Sequence, residues 1–165
     1  MSEEFRINER ELSFTGYFHI KEIKKIIETH IAQKGYDKQE IVHEVQHRKD
    51  GNYTFIKLYP IRRFTDEETF TLELTYGFGS ITQEKLKGTV YDKGTFFISM
   101  GGTLDVDTAG KWSSFYDGLG LLIRFIGNMF VFKEHHQSLI DDCKQDRDEL
   151  YQALLSYCNG QKINR

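Results

Sequence analysis

The last third of the chain, from Lys111 to Cys158, constrains the fold more than any other stretch. An apolar run (Phe115, Tyr116, Leu119, Leu121, Leu122, Ile123, Phe125, Ile126, Met129, Phe130, Val131, Phe132) passes into a charged segment from His135 to Cys158. In that second segment Leu139, Cys143, Leu150, Leu154 and Cys158 recur at helical spacing, broadened by Ile140, Tyr151 and Leu155. A stripe of this kind marks a helix that packs along its whole length. Asp141, Asp142, Lys144, Asp146, Asp148 and Glu149 fill much of the remaining circumference and read as its solvated side.

Upstream, the periodicity is mostly that of strands. Phe70, Leu72, Leu74 and Tyr76 alternate with Thr71, Glu73 and Thr75, which predicts a strand with one face on the core and one in water. Leu12 to Phe18, Ile41 to His47, Tyr53 to Arg63, Lys85 to Tyr91 and Thr95 to Val106 read as five more. Asp50-Gly51, Asp66-Glu67-Glu68 and Asp92-Lys93-Gly94 read as turns, Gly77-Phe78-Gly79 as a strand end, and Gly101-Gly102 as a bulge or bend. Ile20, Ile23, Ile27 and Ile31 predict one helix after the first strand, ended by Gly35, and the charged residues 1–11 read as loose. The expected fold is α+β: a curved antiparallel sheet of about six strands, one helix after the first strand, and a long C-terminal helical segment packed on the sheet. No linker or repeat interrupts it, so residues 1–165 read as a single domain.

Bulk properties narrow the function. A net charge of −3 and a pI near 6.1 argue against a general nucleic-acid binder, which needs clustered positive charge. Cys143 and Cys158 stand fifteen residues apart on one expected helix, about 22 Å, beyond disulfide reach. Free thiols and an N-terminus without a signal peptide lead to the expectation of a cytoplasmic location.

Each chemistry-bearing group has a plain structural reading beside it. His135-His136, with Asp141, Asp142 and Cys143 downstream, includes the usual metal-ligand types, but neither histidine has a ligand partner one helical turn on. A solvated helix face is the expectation. His43 and His47 on one strand would lie about 13 Å apart, too far to share an ion. Asp105 and Asp107 share a strand face, near Glu73 or Glu84 if pairing brings them together, yet nothing shows the desolvation that acid–base chemistry requires. Strand aromatics such as Tyr53, Phe55 and Phe97 fit core packing better than base stacking, because acidic residues are interleaved with the basic ones. No phosphate-binding loop or serine nucleophile elbow occurs. No cofactor or metal is implied.

The 118–132 segment is too short to cross a bilayer, at about 22 Å against about 30 Å, and Arg124 interrupts it. It reads as buried core or as a surface that a partner covers, with Phe115, Leu119, Leu122, Phe125, Ile126, Met129 and Phe130 as the contact residues.

The Phe14–Phe18 strand, the Ile-rich helix, the meander and the closing helix from Lys111 together resemble the helix-grip fold of the START and Bet v 1-like superfamily, as topology over Leu12 to Cys158. That resemblance implies a curved sheet wrapped on a long helix, with a small apolar ligand between them. The chain has one helix after the first strand where the family commonly has two. Lys49-Asp50-Gly51 also replaces the family's glycine-rich loop with a tight turn, and no functional residue transfers. Two functions follow as expectations. One is a non-catalytic interaction or assembly protein that binds itself or a protein partner through 115–132 and a sheet edge. The other is a binder of a small apolar ligand; an enzyme ranks third.

Overall fold

A computed structural model describes the backbone of residues 2–37, 41–48, 51–107 and 120–163, and the side chains of 4–37, 42–46, 53–107 and 134–162. Six strands and two helices follow one another as β1 (Ser2–Phe18), α1 (Ile20–Gln33), β2 (Ile41–Arg48), β3 (Gly51–Leu58), β4 (Ile61–Arg63), β5 (Glu68–Leu86), β6 (Thr89–Asp107) and α2 (Gly120–Ile163). All pairings are antiparallel, in the order β1-β6-β5-β3-β2 with β4 also on β5. The sheet is open, and the long C-terminal helix packs on it, as the α+β reading requires.

The centre of the sheet is a hairpin of two nineteen-residue strands, β5 and β6. Its turn is Lys87-Gly88, both at positive φ (49° and 88°), between the paired Leu86 and Thr89. That is the two-residue geometry whose twist matches the flanking strands. Asp92-Lys93-Gly94, read from sequence as a turn, instead lies within β6, which is one strand and not two. Gly77 and Gly79 likewise do not end β5. Each has an aromatic ring over it: a Cβ at Gly77 would lie 2.4 Å from Phe97 Cζ, and one at Gly79 would lie 2.1 Å from Tyr53 Cε1. Phe55 completes this outer cluster, 4.9 Å from Phe97 by ring centroids. The glycines are spaces for rings, and the strand runs on beneath them.

Tyr53 to Arg63 divides in two at Tyr59-Pro60, where Leu72 N–H donates to the Pro60 carbonyl. Residues 2–11, read as loose, pair with β6 from Ser2↔Asp107 onward. Phe5 and Ile7 supply their apolar side, while charges line the rest. One extra residue between Ile7 and Arg10 makes a bulge opposite Gly101, so the bend expected at Gly101-Gly102 falls on the neighbouring strand.

Phe70, Leu72, Leu74, Tyr76 and Phe78 of β5 face the core with Phe96, Ile98, Met100 and Leu104 of β6 and Leu12, Phe14 and Phe18 of β1. From the helices come Ile23, Ile27 and Ile31 of α1 and the expected Leu139, Cys143, Leu150, Leu154 and Cys158 of α2. Phe18, Phe70, Phe96, Leu72, Ile98 and Met100 have essentially no surface open to a water-sized sphere, so they line no void of that size. The N-terminus of α1 meets the Asp92 carboxylate, which accepts from Ile20 N–H at 3.1 Å. Its C-terminus closes on Gly35 (φ 73°), with Gly35 N–H donating to Ala32 and Tyr36 N–H to Ile31.

Candidate functional site

The densest grouping of chemistry-bearing side chains lies where α2 meets α1, β4 and β1. It begins with an irregularity in the helical stripe. Between Cys143 and Leu150, the positions facing inward are Asp146 and Arg147, both nearly buried (5% and 8% exposed). Asp146 Oδ2 accepts from Arg62 Nη1 at 2.7 Å and from Tyr36 Oη at 3.0 Å, and Lys34 Nζ stands 3.1 Å from Oδ1. Three elements thereby converge on one carboxylate. Lys34 also reaches Glu149 at 2.5 Å, and this ammonium partner holds the Glu149 carboxyl below its usual range.

Arg147 faces the other way. Its guanidinium donates to the carbonyl of Asn8, which the β1 bulge frees from regular pairing, and to Asp148 at 2.9 Å. Arg10 donates to Asp148 at 3.0 Å and lies 4.1 Å over the Tyr151 ring. The bulge is therefore where the helix is docked on the first strand.

A second contact lies near the start of the packed part of α2. Glu68, 2% exposed, accepts from Thr65 Oγ1 at 3.1 Å and from His135 Nε2 at 3.0 Å, with His136 Nε2 at 3.7 Å. His136 is mostly enclosed and packs against Phe5 at 5.7 Å between rings. The reading of this pair as a solvated helix face holds for His135, whose side chain is 52% exposed, and is corrected for His136, which is enclosed; both ring nitrogens face the buried Glu68 carboxylate. At the far end, Tyr157 Oη accepts from His19 N–H at 2.9 Å.

The electrostatics of the Asp146 group work against reactivity. Burial, with Asp146 nearby, pushes the Cys143 thiol up to about 12, and burial pushes Cys158 up to about 11. Neither is a ready thiolate. Tyr36 is driven upward by burial and by Asp146, so its hydroxyl stays a donor. Burial lowers His30, only partly offset by Asp146, and its Nε2 is enclosed with no hydrogen-bond partner. A neutral imidazole, protonated thiols and a carboxylate neutralised by Lys34 and Arg62 make a structural joint.

The other sequence candidates lie apart from it. Phe115 and Leu119 lie outside the described residues, and so do the side chains of Leu122, Phe125, Ile126, Met129, Phe130 and His47. His43 is exposed on β2. Asp105 pairs across to Glu4 and Thr69, not to Glu73 or Glu84, whose partners are Gly101 and Tyr91. Burial and then Glu4 raise the Asp105 carboxyl, while Asp107 is exposed. Among the described residues, no group of three or more His, Cys, Asp or Glu could hold a metal ion, and no helix is long and apolar enough to cross a membrane. Two open depressions flank the outer side of α2, lined among the described residues by polar positions such as Gln137, Ser138, Gln145 and Gln152.

Asp146 and Glu68 were missed, yet both carried a signal. Asp146 is three residues after Cys143 and four before Leu150, on the buried stripe. Glu68 is two before Phe70, on the core face by parity. The chain matches no family model and no curated protein.

Proposed function

We propose that this is a non-catalytic interaction or assembly protein, which binds itself or a protein partner through the apolar 115–132 segment and a sheet edge. The observation that carries this reading is β2. Among the described strands it has one neighbour, β3, and neither of its faces is covered: Val42 is 43% exposed and Val45, on the opposite face, 57%. The unreactive state of the Asp146 group supports it, since the buried polar side chains fix α2 and leave no nucleophile or base poised. The test is native mass by light scattering on the wild type and on Ile126→Asp. A discrete oligomer that Ile126→Asp converts to a folded monomer is the expected result. An unfolded variant would place Ile126 in the core and overturn that part of the surface.

A second reading, a small apolar-ligand binder of helix-grip type, is favoured by the topology. The first strand pairs with the last, and the closing helix lies on the same sheet. It requires a cavity, and the solidly packed stretch around Phe18, Phe70 and Phe96 favours the first reading. A monomer carrying extra small-molecule mass in native mass spectrometry would reverse the preference.

A further inference from the structure

Among the described strands, the two outer ones differ in how they guard the edge that has no strand neighbour. β1 carries a bulge and a dense run of charge through Glu3, Glu4, Arg6, Glu9, Arg10 and Glu11, two devices that stop edges from pairing with other chains. β2 (Ile-Val-His-Glu-Val-Gln-His-Arg) has no proline and no lysine, and it pairs with β3 in unbroken register from Ile41↔Leu58 to Arg48↔Gly51. A regular eight-residue strand with β-branched Val42 and Val45 exposed on opposite faces is a template for another strand.

We infer that β2 is the seam of a symmetric dimer, in which two copies of this chain pair antiparallel about a two-fold axis through Val45 and fuse their sheets. The inference rests on the assembly reading above and gives that edge its occupant. The side-chain pattern selects the register. Centring on Val45 sets Val45 against Val45 of the second copy on one face. On the other face it sets each Glu44 against a Gln46, an amide donor opposite a carboxylate, twice by symmetry. Within one chain Gln46 Nε2 already donates to Glu44 at 3.0 Å, so these groups match in chemistry. Centring on Glu44 would place two carboxylates opposite each other. Centring on Gln46 would shorten the overlap within the strand from about seven residues to about five, at one pair per residue. Residues 42–48 of each copy overlap in the chosen register.

Site-directed cross-linking tests this. Opposed residues of an antiparallel pair have Cα atoms about 4.5–5.5 Å apart, within the span of a disulfide. Val45→Cys, oxidised gently, is expected to give a covalent species of twice the 19.4 kDa chain mass. Gln46→Cys, displaced along the strand from its own copy, is expected to stay uncross-linked. Cys143 and Cys158 are buried and remain silent. Val45→Lys, at an exposed position, is expected to keep the wild-type circular dichroism while the dimer weakens about tenfold or more by light scattering, because two lysines then face each other. Equal cross-linking at 45 and 46 overturns the seam, as does an oligomer whose mass Val45→Lys leaves unchanged. In that last case the assembly reading stands on residues 115–132 alone. A wild-type monomer at all concentrations overturns the dimer and narrows the assembly reading to a different protein partner.

Discussion

Asp146 and Glu68 are both buried carboxylates at the seam between α2 and the sheet, and they are compensated in different ways. Asp146 projects from the helix toward Lys34 and Arg62, cations whose charge is fixed across the physiological range, with Tyr36 as a further donor. Glu68 projects from the sheet toward His135, His136 and Thr65. The first joint is therefore closed by two cations, whereas the second is closed by a hydroxyl, a half-exposed imidazole and an enclosed one. A buried carboxylate can be held by ion pairs or by hydrogen bonds from hydroxyl and ring groups, and this helix uses one of each.

The largest effect should come from Asp146→Ala. It leaves Arg62 without its carboxylate and Lys34 with Glu149 alone, and removing one partner of such a largely enclosed group costs about 3 kcal/mol, the low end for a buried pair. Urea unfolding would measure the loss; a change below 1 kcal/mol would mean that the joint is solvated and not comparable to Glu68. Glu68→Gln should cost less, about 1–3 kcal/mol, since the amide keeps the shape and part of the hydrogen bonding. If it costs more than Asp146→Ala, the ranking of the two joints is reversed.

The smallest effect sharpens the comparison by pH. His30, beside Asp146, has its pKa lowered by burial. The unfolded chain therefore binds a proton more readily than the folded one. Stability from this group is fully present above about pH 6.5 and declines as the pH falls from there toward the folded pKa. His30→Leu removes both the titration and the unpartnered Nε2. It should flatten the stability curve below pH 6.5 and change stability at pH 8 by only about 1 kcal/mol. A curve as steep as the wild type's would assign the pH dependence to groups other than His30.

The sequence revealed the apolar periodicities clearly and the places where a local signal competes with tertiary packing poorly. Phe70 to Tyr76, Ile23 to Ile31 and Leu139 to Cys158 face the core as their spacing predicts. Gly77, Gly79 and Gly94 look like strand ends because sequence cannot show the rings of Phe97 and Tyr53 or the Ile81 side chain above them. Charge was misleading at 1–11 and at Glu68, where β1 and β5 carry polar residues on strands, while Asp66 and Glu67 do lie in the bend expected there. The histidines at 135 and 136 have no motif spacing because their partner, Glu68, lies on a strand 67 residues earlier.

The β5–β6 hairpin also bears on the order in which the molecule assembles. Its strands are joined by a two-residue turn, so their pairing closes a short loop, whereas Ser2 must find Asp107 across most of the sheet's sequence. Loop-closure entropy and contact order favour the hairpin as the early nucleus and make β1 a late arrival. The first strand thus leaves the ribosome before β6 and then waits unpaired for its neighbour. Its run of glutamates and arginines keeps that nascent segment in water until the edge it belongs to exists.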